Sequence, residues 1–204
     1  MTIAPNDVPP RISVIAIGNI LLGDDGFGPV AVEMFRCLYQ CSPSVAILDL
    51  GTPGLDIAPY LYGVELVILV DAVRAPGKPG TLSVYSQSDI FSGHAQLRLS
   101  SHDPGVLESL VQLRLAGHAP SEVIIVGAVP ESCKVGGGIS PSALSAASLA
   151  AAMIADLLLQ RSVSCSRRPT PDRGNFWWLS SNQQQLIACN LHVQTETVLT
   201  GLTG

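Results

Sequence analysis

The chain has 204 residues, 47% of them hydrophobic and 13% charged, with a formal net charge of −5. That length supports one substantial core and leaves little for two. The acidic balance excludes a nucleic-acid footprint, which needs clustered Lys and Arg.

Residues 1–10 lack the basic region and apolar stretch of a secretory signal and read as an N-terminal extension. From there short strand-like runs alternate with helical ones, the pattern of βαβ units and a largely parallel sheet. Strands are expected near 11–17, 45–49, 66–71, 81–85 and 122–129, and helices near 28–40, 54–62, 104–116 and 140–160. The runs Leu66–Asp71 and Val123–Val129 are continuously apolar, as in strands covered on both faces, so they belong at the sheet's centre. Residues 75–85 carry a Pro/Gly turn and an alternating run, which suits an edge strand of either direction. The expected fold is α/β: a three-layer α/β/α sandwich around a mostly parallel five-stranded sheet with an antiparallel edge strand allowed.

Ala143 to Leu159 is apolar but broken by serines and Asp156, and it is shorter than the ~20 residues of a usual span. It reads as a helix packed on the core, with no membrane insertion. Beyond Gln160 the periodicity stops and the charge changes sign. Residues 161–204 are therefore set apart from the 11–160 domain as a tail, flexible or loosely docked, with an aromatic cluster at Phe176, Trp177 and Trp178. A short strand pair is allowed between Leu186 and Leu199. The cysteines at 37, 41, 133, 165 and 189 form no CxxC pair, and an odd number reads as reduced thiols in a cytoplasmic protein. Cys37 and Cys41, four apart on a predicted helix, read as small buried residues.

The segment GNILLGDDGFG, residues 18–28, joins the first strand to the first helix. Gly18 and Gly23 have the glycine spacing of a phosphate-binding P-loop, but Asp24 and Asp25 stand where Lys and Ser/Thr belong. The dinucleotide fingerprint fails as well, because Ile20 follows Gly18 by two. Carboxylates at the carboxyl end of a strand suit a cation, although Asp is also a favoured helix cap. Asp71 closes the third strand at the same expected edge, and His102 precedes the helix that starts there. Two carboxylates and an imidazole form a mixed oxygen and nitrogen set for a divalent first-row ion, with positions left open for ligands from elsewhere.

Five segments together resemble a known family: Gly18-Asn19 through Asp24-Asp25-Gly26-x-Gly28, Asp49-x-Gly51-Thr52-x-Gly54, Val70-Asp71-Ala72, Ser101-His102 and Gly127-x-Val129-Pro130-Glu131. They look like the nickel-iron hydrogenase maturation proteases, endopeptidases that trim the C-terminus of the hydrogenase large subunit. The resemblance covers roughly residues 11–160. It implies that Asp25, Asp71 and His102 are the metal-contacting and catalytic positions, with Gly18, Asn19, Asp24, Gly26, Gly51 and Thr52 shaping the surrounding loops. It further implies a large-subunit precursor as partner and nickel supplied by that precursor, with no tightly held cofactor. The ion could polarise the scissile carbonyl or acidify a water, and Asp25 or Asp71 could act as general base; the residues leave these roles open. Cys133 has no histidine neighbour in the pattern, which disfavours a thiol mechanism. Two other readings share the acids: a docking factor that binds the large subunit without hydrolysis, and a Mg²⁺ site beside a phosphorylated substrate.

Overall fold

The computed structural model describes residues 11–91, 98–99 and 104–188. The elements run β1 (Ile12–Ala16), α1 (Phe27–Leu38), β2 (Tyr39–Cys41), β3 (Val45–Asp49), α2 (Ala58–Leu61), β4 (Leu66–Arg74), β5 (Leu82–Ser86) and α3 (Gln87–Phe91), then β6 (Arg98–Leu99), α4 (Pro104–Leu115), β7 (Glu122–Ala128), α5 (Pro141–Leu159) and β8 (Cys165–Arg167). Two short 3-10 turns, Gly23–Gly26 and Gly54–Ile57, lead into α1 and α2.

The apolar runs become the middle of one sheet, ordered β3-β1-β4-β7-β5. Along this order the strands are parallel except β5, which pairs antiparallel with β7 at the edge; off it, the short β6 pairs antiparallel with the end of β4. Successive strand side chains point to opposite faces, and the core divides accordingly. Val14, Ile68, Val70, Ile124 and Val126 pack with α1 and α5, whereas Ile15, Val67, Leu69, Val123 and Ile125 pack with Ile57, Leu61, Val106 and Leu110. The three-layer α/β/α arrangement therefore follows from strands apolar on both sides. α5 spends its apolar length inside the molecule: Ala143, Ala147, Ala150, Ala151, Ile154 and Leu158 are buried, and its small side chains let it pack closely on α1.

Several boundaries differ from expectation. β4 continues to Arg74 instead of ending at Asp71, because β7 supplies ladder partners to Ala72 and β6 pairs with Val73 and Arg74. The helix expected to reach residue 40 ends at Leu38, and Tyr39–Cys41 pair antiparallel with Cys165–Arg167. That pairing corrects the expectation of reduced thiols: Cys41 and Cys165 are opposite in register and joined by a disulfide. Their separation of 124 residues hides the pair from any reading of local spacing. Cys37 and Cys133 are free, and Cys37 is buried, its thiol pushed up to about 12 chiefly by loss of solvent.

After β8 the chain runs back over α1. Asp172 N–H donates to the Cys37 carbonyl at 3.0 Å and Asn175 N–H to Glu33 Oε1 at 2.7 Å. Phe176, Leu179 and Ile187 are buried in the core cluster and Trp178 packs against it, while Trp177 is exposed. Residues 181–188 are helical, so Leu186 lies in a helix where a strand pair was allowed; residues 189–199 of that pair lie outside the described residues.

The contact between α1 and the sheet depends on Gly28. A Cβ there would stand 2.2 Å from the Ile17 carbonyl oxygen and 2.3 Å from that of Val70, both fixed in the sheet. Gly28→Ala is expected to lower stability by about 1–3 kcal/mol or more, read as a reduced urea midpoint. The disulfide has its own check. Among the described cysteines, alkylation of the unfolded, unreduced chain should label Cys37 and Cys133 but spare Cys41 and Cys165, which label only after reduction.

Candidate active site

The first loop is shaped by what cannot fit in it. Gly18 has φ +138°, and a Cβ on it would lie 2.0 Å from the Asp25 carbonyl oxygen. The left-handed backbone and the close approach both demand glycine. Asn19 then organises the turn at both ends: its N–H donates to Asp25 Oδ2 at 2.8 Å, and its Oδ1 accepts from Leu21 N–H at 3.0 Å. The second glycine turn closes against the first. Asp49 Oδ1 accepts from Gly51 N–H at 3.0 Å, and the Gly51 carbonyl accepts from Gly18 N–H at 2.8 Å. Thr52 is exposed on this turn, and Gly26 is the N-cap residue of α1.

Neither acid caps α1, whose N-cap has no side-chain hydrogen bond. Asp24, 1% exposed, instead reaches across to the loop after β7. Its Oδ2 accepts from the N–H of Glu131 at 2.7 Å, that of Ser132 at 3.4 Å and the Ser140 hydroxyl at 2.8 Å. Its Oδ1 accepts from Ser140 N–H at 2.6 Å. The Asp24 N–H in turn donates to the Ser132 carbonyl at 2.9 Å. Ser140 is the N-cap of α5, its hydroxyl also accepting from Ala143 N–H at 3.2 Å, so Asp24 supports the start of a helix far along the chain. Ser132 and Ser140 are residues that sequence reasoning missed, and Glu131, named within a motif, was given no part in holding Asp24. The Ser140-Pro141 pair did carry a signal, a capping serine followed by proline at the first helical position.

Asp25 and Asp71 reach the same edge by different routes. Asp25 is 2% exposed in the 3-10 turn before α1; Asp71 is fully buried inside β4, opposite Gly127 of β7. Asp71 has the strand parity of Leu69 and Val73, which pack with Val106 of α4. β1 leaves β4 at this level, Ile17 N–H donating to the Val70 carbonyl at 2.9 Å, and β4 runs on without β1 beside it. The 3-10 turn holding Asp25 packs against β4. His102 lies outside the described residues, and among those described no three His, Cys, Asp or Glu side chains are grouped as a metal cage.

Cys133 reports the local field. The residue is exposed, yet partial shielding of its sulfur raises the thiol pKa; Asp25, Asp24 and Asp71 raise it further, and Arg74 opposes them. Four charged side chains from two segments, the 3-10 turn and β4, thus act on one atom. A thiol held protonated is a poor nucleophile, which agrees with a site built on carboxylates. Asp24, Asp25 and Asp71 are all buried, and among the described residues no Lys or Arg is buried with them. Such a concentration of carboxylates in low dielectric favours a cation.

A family model described as hydrogenase maturation protease matches residues 29–157, a span that contains Asp71 and His102 and begins just downstream of Asp25. The hydrogenase expression/formation protein HupD of Rhizobium leguminosarum bv. viciae is 36% identical over 129 residues, which are 63% of this chain and 64% of that protein. The chain thus spans just under two thirds of that relative's own length. The HupD protein of Bradyrhizobium diazoefficiens is 32% identical over 162 residues, 79% of this chain and 84% of that protein. Among solved structures, the hydrogenase maturating endopeptidase HybD from E. coli superposes with a TM-score of 0.71 at 29% identity, covering 78% of this chain and 98% of that one.

The bonds to Asp24 are charge-assisted and buried, and such bonds contribute about 1.5–3 kcal/mol each. Asp24→Ala strands the amides of Glu131 and Ser140 and should destabilise the protein by about 3 kcal/mol or more, measured by urea denaturation. Asp24→Asn keeps the shape but turns an N–H₂ toward donors, and it should fall between Ala and wild type.

Proposed function

Because the chain belongs to the hydrogenase maturation protease family, we propose that it is the endopeptidase that removes the C-terminal extension of a nickel-iron hydrogenase large-subunit precursor. Nickel already carried by that precursor is the element it recognises. The protein keeps no metal of its own between turnovers and acts in the cytoplasm, before the processed subunit closes around its metal centre.

The observation that supports this most is the set of buried carboxylates at one rim. Asp24 is occupied by donors on both oxygens and serves the architecture. Asp25 and Asp71, on the 3-10 turn and on β4, are the acids offered to an incoming cation. His102, two residues before α4, supplies the nitrogen donor in this reading. Carboxylate and imidazole suit nickel or another divalent first-row ion. A precursor-borne ion beside the scissile bond brings Lewis acidity to its carbonyl. This chain's part is to hold that ion against the bond and to accept a proton from the attacking water at a carboxylate oxygen.

The test is cleavage of purified precursor followed by intact mass. Nickel-loaded precursor should lose its extension and metal-free precursor should stay whole. Asp25→Asn, Asp71→Asn and His102→Ala should each lower the rate by about 10²-fold or more. Unchanged mass with wild-type protein and loaded precursor would leave a docking factor in place of an enzyme.

A further inference from the structure

The family match stops at residue 157, yet the chain continues and folds back to the rim of the site. The return is made by one side chain. Gln183 Nε2 donates to the Ile139 carbonyl at 2.8 Å. Its Oε1 accepts from the N–H and the hydroxyl of Ser180, both at 3.0 Å, so the amide orientation is set by its own segment. Gly138, at φ +63°, lines the contact, a Cβ there meeting Gln183 Nε2 at an ordinary 3.4 Å.

The Ile139 carbonyl and the Ser140 N–H belong to the same peptide group. Gln183 holds the oxygen of that group while Asp24 Oδ1 holds its N–H at 2.6 Å. A peptide gripped at both ends is polarised along the chain of bonds, each strengthening the other. It also sits where residues 131–138, all exposed, hand over to the buried Ile139 and the start of α5. Asp24 is covalently joined to Asp25, the acid proposed to meet the metal. The segment around Gln183 is itself anchored at a distance, through Phe176, Leu179 and Ile187 in the core.

From this geometry we propose that Gln183 is a positioning residue for the peptidase reaction. It clamps the Ile139–Ser140 peptide from the side opposite Asp24 and thereby fixes the loop that carries the acids. The C-terminal segment is thus a working part of the site, acting through Asp24 and touching no reacting atom. The inference rests on the peptidase reading for its kinetic consequence and on the hydrogen-bond geometry alone for its structural one.

The experiment uses the full chain with Gln183→Leu, which keeps bulk and loses the donor, and Gln183→Glu, which sets a carboxylate against the carbonyl. Gln184→Leu is the comparison, because Gln184 Nε2 donates only to the Phe176 and Leu179 carbonyls within the segment. Both Gln183 variants should speed hydrogen exchange at Ser140 and across residues 131–140 by about fivefold to tenfold. They should lower kcat for nickel-loaded precursor by about tenfold with KM little changed, since displaced catalytic groups cost rate before binding. Gln184→Leu should do neither. Unchanged exchange at Ser140 in both Gln183 variants overturns the clamp; faster exchange with unchanged kcat, or an equal kinetic effect from Gln184→Leu, overturns the positioning role. Failure of the wild-type protein to cleave loaded precursor would sink the peptidase reading, and the exchange measurement would still decide the clamp.

Discussion

A single buried carboxylate holds the two halves of the site together. Asp24 collects the amides of Glu131, Ser132 and Ser140 and the Ser140 hydroxyl, partners more than a hundred residues away in the chain. The cost of burying its charge is offset because donors reach both oxygens, and because the N-terminus of a 19-residue helix presents partial positive charge nearby. That contact, with the Asp24 N–H on the Ser132 carbonyl, ties the loop after β1 to the loop after β7. Asp25 is placed by what its neighbour in sequence does.

Adjacent acids of the same type therefore do different work. Asp24 faces backbone donors and is spent on architecture. Asp25 instead accepts from Asn19 N–H at 2.8 Å, within its own loop. The division is a matter of which loop each side chain meets, and it lets one tight turn both build the edge and charge it. Asp71 gains its burial in another way, from a strand that keeps its ladder partners beyond the point where β1 departs.

The family match ends inside α5, at residue 157, whereas the packing continues past it. Residues 161–188 lay a third set of contacts over α1, tied at one end by the Cys41–Cys165 disulfide and at the other by Gln183 on the Ile139 carbonyl. Phe176 fills space beside Cys37; a Cβ at Gly174 would come 2.2 Å from its ring and 2.8 Å from the Cys37 sulfur. The segment is polar in sequence because only a few side chains, spaced irregularly, turn inward.

Local sequence was enough for the sheet and its two covered faces, because burial on both sides leaves continuous apolar runs that no other environment tolerates in a strand. It was enough for the glycines of the first loop, since turn chemistry acts over a few residues, but Asp71, read as closing its strand, lies inside β4. It could not show that Asp24 caps a distant loop, that Cys41 meets Cys165, or that Gln183 shares a peptide with Asp24. Nor could it show that β4 runs on to Arg74. Each of these depends on partners brought together only when the sheet closes and α5 packs on α1. Hydrogen bonds and disulfides are satisfied by whatever lies within about 3 Å in space, and sequence distance carries no record of that.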